Sequence, residues 1–157
     1  MKISASPAEG LHIEVEEPGE WHLLTGILRD AQGAGFDLAT QVGGRMDQTA
    51  AWNDWEEYVI PDIRAGFLEH LKTILMAIES ARLEAAGGPG LLWITREDAF
   101  HWYSALNQAR LAIEASHHLG PGETIDPNRL SPASLKAFIR SQFYCAIQSI
   151  LLDQGLG

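Results

Sequence analysis

Between Pro61 and the run Gly87–Gly88–Pro89–Gly90 lie 25 residues without an internal breaker of that strength. Ile63, Phe67, Leu71, Ile74, Ile78 and Ala81 recur there at helical spacing, with Leu75 and Ala85 flanking them. This predicts one long helix with an apolar stripe, which must be covered by other elements. The rest of the chain supplies them. Pro18–Gly19 opens a helix from Glu20 to Gln32, carrying Trp21, Leu24, Ile27, Leu28 and Ala31 and stopped by Gly33 and Gly35. Thr95, with Asp98 three residues on, marks the start of a helix bearing Ala99, Trp102, Leu106, Ala109 and Ile113, ended by Gly120–Pro121. Ser131 as cap, Pro132 in the first turn and the Leu130/Leu135 staple start a last helix that reaches about Asp153. A short helix over 52–60 should end at Ile60, because proline disfavours helical geometry in the residue before it.

The N-terminus has a different period. Leu11, Ile13 and Val15 alternate with polar residues, as in a half-buried strand, and Met1–Ala5 can pair with it across the turn-forming Ser6–Gly10. Leu91–Ile94 reads as a brief extended segment. The expectation is a mainly α protein: a bundle of four or five helices with a small N-terminal β-hairpin over 1–16, all one domain over 1–157. The glycine-containing stretch 33–51 is expected to be a flexible loop.

Charge narrows the function classes. With 11 Lys plus Arg against 21 Asp plus Glu, the formal charge is −10, and no two basic residues are adjacent. Nucleic acid and an anionic membrane surface are therefore not expected partners. Apolar runs such as Ile74–Ile78 fall far short of a bilayer span, and a polar segment follows Met1–Lys2 in place of a secretory core. The lone Cys145 reads as a small buried thiol. The expected location is the cytoplasm.

Two stretches, Asp54–Trp55–Glu56–Glu57–Tyr58–Val59–Ile60–Pro61–Asp62–Ile63–Arg64 and Leu106–Asn107–Gln108–Ala109–Arg110–Leu111, resemble a family of small bacterial proteins. It is known as a domain of unknown function, number two thousand and seventeen. Phe143–Tyr144 followed by Ile147–Leu151 is a weaker match, and residues 11–31 are similar to the family's opening strand and leucine-rich helix. The stretch 33–51 and the His117–His118 pair depart from the pattern. The resemblance implies an all-helical protein. Because some bacteria encode such proteins beside the ClpS adaptor of the Clp protease, it also implies a link to regulated proteolysis.

Few residues suggest chemistry. Arg110 shares a helix side with Leu106 and Ile113, and a guanidinium there calls for carboxylates, with Asp54, Glu57 and Asp62 as candidates and Asn107 nearby. That cluster reads either as an internal lock on helix register or as a clamp for an anionic ligand. Glu114 and His117 have the spacing of carboxylate-bridged metal sites, and Asp98 and His101 imitate it. Both pairs lie on one helix, ~24 Å apart at ~1.5 Å per residue, so they cannot share a dinuclear centre. A mononuclear site would need Glu114, His117 and His118 with ligands from elsewhere. There is no nucleophile motif or phosphate loop, and no cofactor is expected. Trp52, Trp55 and Tyr58 recur every three residues as an aromatic face, core or docking patch; with Glu56, Trp52 and Trp55 make the preferred docking surface. The expected function is a non-enzymatic module that binds another protein, and self-association through an apolar face is a further expectation. The alternative is a metal- or small-ligand-binding bundle.

Overall fold

The structure, a computed structural model, describes residues 1–6, 10–33, 37–43, 55–119 and 125–155. Among them are three strands, β1 (Lys2–Ser6), β2 (Gly10–Val15) and β3 (Gly90–Ile94), and five α-helices. The helices are α1 (Pro18–Ala31), α2 (Leu38–Gly43), α3 (Ile60–Glu84), α4 (Ala99–His117) and α5 (Pro132–Asp153). The mainly helical bundle with an N-terminal β element is present. The hairpin, however, is a three-stranded antiparallel sheet in the order β1-β2-β3. The segment 91–94 is its third strand, with Leu11 opposite Ile94 and Ile13 opposite Leu92. Those four side chains are fully buried against the helices, so both strands use their alternation to fill one core face.

Two glycines permit this return of the chain. Gly10 has φ +101°, and a Cβ there would lie 2.3 Å from the Ile94 carbonyl oxygen. At Gly90 a Cβ would meet the Ala85 Cβ at 2.6 Å and the Trp21 ring at 3.1 Å. Trp21 therefore sits directly beneath the α3–β3 turn, and its Nε1–H donates to the Gly88 carbonyl at 2.8 Å.

Helix α1 begins two residues earlier than its apolar pattern, because the Glu20 carboxylate accepts from the backbone N–H groups of Glu16 (2.7 Å) and Glu17 (3.3 Å). The short helix expected over 52–60 is not separate from the long one. Residues Trp55–Val59 form a wide π-type turn that runs without a break into α3. Pro61 falls in the first turn of α3, where its fixed φ suits the helix and a missing N–H is tolerated. The stretch 33–51 is not simply a loop: it holds α2, packed on α3. Asp37 starts it, accepting from the Ala39 N–H at 3.1 Å and the Thr40 hydroxyl at 2.9 Å, and pairs with Arg64 of α3. Residues 34–36 and 44–51 lie outside the described residues.

Helix α4 is central and packs on α1, α3 and α5. It can serve three neighbours because Ala99, Ala105, Ala109 and Ala112 are buried along it, so the surrounding helices come close. Trp102 and Leu106 fill the space between them and Ile27, Ile74, Ile78, Tyr144 and Ile147. Among the described residues no helix is long and apolar enough to cross a membrane.

Candidate functional site

Among the described residues three contacts between side chains, besides a Gln108 Nε2–H to Phe67 carbonyl bond at 3.4 Å, join the helices inside the bundle. The most buried links α1 to α5. Asp30 is 8% exposed and receives three hydrogen bonds: from Arg140 Nε (2.6 Å), Arg140 Nη2 (3.0 Å) and the Tyr144 hydroxyl (2.8 Å). Burial, then the negative charge of Asp30, pushes the Tyr144 phenol well above its ordinary range, so it stays a donor. Three of the roughly four acceptor sites of the carboxylate are taken up within the protein.

The second contact corrects an expectation. Arg110 does not meet Glu57 or Asp62, which are exposed at the start of the α3 assembly; Asp54 lies outside the described residues. Its Nη1–H donates to Gln148 Oε1 of α5 at 2.6 Å, and Gln148 Nε2 donates to the Tyr103 carbonyl at 3.1 Å. The reason is angular. At about 100° per residue, Arg110 lies roughly 180° around α4 from His101, which faces α3. It therefore points to α5, away from the acids. Among the described residues it has no carboxylate within ion-pair distance, and its buried Nε has no acceptor. Asn107 is half-buried beside it.

The third contact joins α3 to α4, where His70 Nδ1 and His101 Nδ1 are 2.8 Å apart. The Phe100 ring stands edge-on to His70 at 5.3 Å. One proton fits between the two imidazoles, so a second charge there is unfavourable. Burial, then the neighbouring His101, depresses the His70 pKa from its ordinary value of 6.5, against a smaller upward pull from Glu69. A base with a depressed folded pKa contributes stability above its unfolded value and loses it as pH falls through the folded one. Between pH 7.5 and pH 5.5 the urea midpoint is therefore expected to fall, and to fall less in His70→Gln. Equal slopes for the two proteins in a denaturation series across that range would refute this role.

These contacts tie α1 to α5, α4 to α5 and α3 to α4. Glu114, His117 and His118 do not make the metal set considered above: Glu114 is exposed, His118 caps α4 in the left-handed conformation, and among the described residues no three His, Cys, Asp or Glu converge on an ion-sized space. A cleft of about 230 Å³ opens between α1 and α4, lined by Arg29, Asp30, Ser116 and His117. It is smaller than a usual ligand pocket.

The outer surface is more informative. On α3, Leu68 is 52% exposed, Leu75 38%, Met76 62% and Leu83 76%. At about 100° per residue these four fall on one stripe, some 130° around the helix from the face that buries Ile74 and Ile78. Sequence reading assigned α3 its core face and did not single out this second one, although Leu68, Met76 and Leu83 stand off the core period and were the signal for it. Of the aromatic patch, Tyr58 is 63% exposed and so is not core; Glu56 is exposed too. Trp52 and the Trp55 side chain lie outside what is described.

The sequence profile of a family described as Domain of unknown function (DUF2017) matches residues 43–152, which takes in α3, β3, α4 and most of α5. No curated protein and no solved structure matches the chain.

Proposed function

This chain belongs to the DUF2017 family, and on that footing we propose that it is a protein-docking helical module rather than an enzyme. The observation that carries the reading is the outer stripe of α3. A single exposed leucine needs no explanation, but four large apolar side chains along about 22 Å of one helix face do. Water gains nothing from contact with them, while a partner surface that covers them gains the transfer energy of each. Tyr58, in the π-type turn that leads into α3, is exposed as well and adds an aromatic group near the start of that helix. The link to regulated proteolysis implied by the family resemblance supplies the first partner class to try, an adaptor or substrate of a Clp-type protease.

A photoreactive benzophenone side chain placed at Leu83 tests the reading in living cells. It is expected to give a discrete crosslinked product, whereas the same group at Ile139, an exposed apolar residue on α5, gives none. Absence of any product from position 83 would remove the basis for docking through α3.

A further inference from the structure

Resting on the docking reading, we propose that the occupant of the α3 stripe is a second copy of this chain, lying antiparallel to the first. The stripe is self-complementary. Leu68, Lys72, Leu75, Met76, Glu79 and Leu83 follow one another along it, and each pair lies equally far from the point between residues 75 and 76. Turned end to end about that point, Leu68 of one copy meets Leu83 of the other, and Lys72 meets Glu79. Leu75 and Met76 gather around the two-fold axis. At about 100° per residue Lys72 and Glu79 lie only ~20° apart on the helix, both in the middle of the stripe, so each reaches its opposite across the interface. Their aliphatic stems cover the leucines on either side.

This is the pattern an isologous interface requires: residue i on j, and j on i. A parallel arrangement would set Lys72 against Lys72 and Glu79 against Glu79, which costs attraction at both places. An unrelated partner would not require the apolar and charged positions to mirror each other about a single point. Among the described residues α1, α2, α4 and β3 pack on α3, and the four apolar side chains of the stripe nonetheless stay 38–76% exposed.

Charge reversal tests the pairing without touching the core. Sedimentation of the full chain is expected to show a dimer at micromolar concentration. Lys72→Glu and Glu79→Lys are each expected to weaken it by at least about tenfold, since each creates two like-charge contacts per dimer. Mixed in equal amounts, the two variants regain the dimer as a heterodimer, because every contact is then opposite in sign. The double variant Lys72→Glu/Glu79→Lys likewise regains it. Unchanged far-ultraviolet circular dichroism in each variant confirms that the fold is kept. A wild type that stays monomeric up to about 100 µM overturns the proposal, as does a dimer indifferent to both single reversals. If the chain is monomeric and position 83 still crosslinks to a protein of another mass, docking through α3 stands and the second copy falls.

Discussion

Asp30→Ala is expected to lower stability by about 3–5 kcal/mol, the usual cost of removing one member of a buried, hydrogen-bonded ion pair. The mechanism is the stranding of Arg140 and Tyr144. Both guanidinium bonds and the phenol's acceptor vanish together, and Tyr144 is fully buried with no route to water. Arg140 keeps a side chain 23% exposed and recovers part of its hydration, which holds the effect to the lower half of that range. Replacing the pair with apolar groups of similar length, Asp30→Leu with Arg140→Met, is expected to return part of the loss: no charge is then left unpaired, but the Tyr144 hydroxyl still lacks its acceptor. Urea denaturation of the single and double variants measures both. If Asp30→Ala shifts the midpoint no further than an exposed substitution such as Glu114→Ala, the contact between α1 and α5 is not structural.

Trp21→Ala is expected to cost about 3–5 kcal/mol, through the cavity it leaves beneath the α3–β3 turn. The indole fills the space between α1, Ala85 and Gly90, and also satisfies the Gly88 carbonyl. Trp21→Phe separates the two contributions: it keeps most of the volume and loses the hydrogen bond, for about 1 kcal/mol. An equal loss for both variants in urea titration would show that the hydrogen bond, not the packing, holds the turn.

Helix boundaries were legible where chemistry punctuates the chain. Ser131–Pro132 starts α5 as expected, the Ser131 hydroxyl accepting from the Ser134 N–H at 3.2 Å, and Gly87–Gly88–Pro89–Gly90 ends α3. Those signals act within a few residues, so a local reading captures them. Contacts between distant residues were not legible in the same way. Asp30 stands three residues after Ile27 on the inner face of α1, which marks it as a buried acid, but nothing nearby in sequence points to Arg140 and Tyr144 more than 100 positions later. For Arg110, periodicity gave the side of the helix correctly as inward and left open which neighbour lies there. With α4 surrounded by three helices, that choice decides the partner, and Gln148 takes the place expected for a carboxylate. The third strand was missed as a strand for a related reason: Leu91–Ile94 has four apolar residues in a row, and only β2 beside it divides them into a buried pair and an outward pair.

The position of α1 bears on how fragments of this protein should be cut. The family profile starts at residue 43, so a piece trimmed to the matched span would discard β1, β2 and α1 together. Such a piece would carry a bare β3 edge, a turn without its indole plug and an arginine–tyrosine pair without its anion. The minimal self-sufficient unit is accordingly wider than the region of shared sequence.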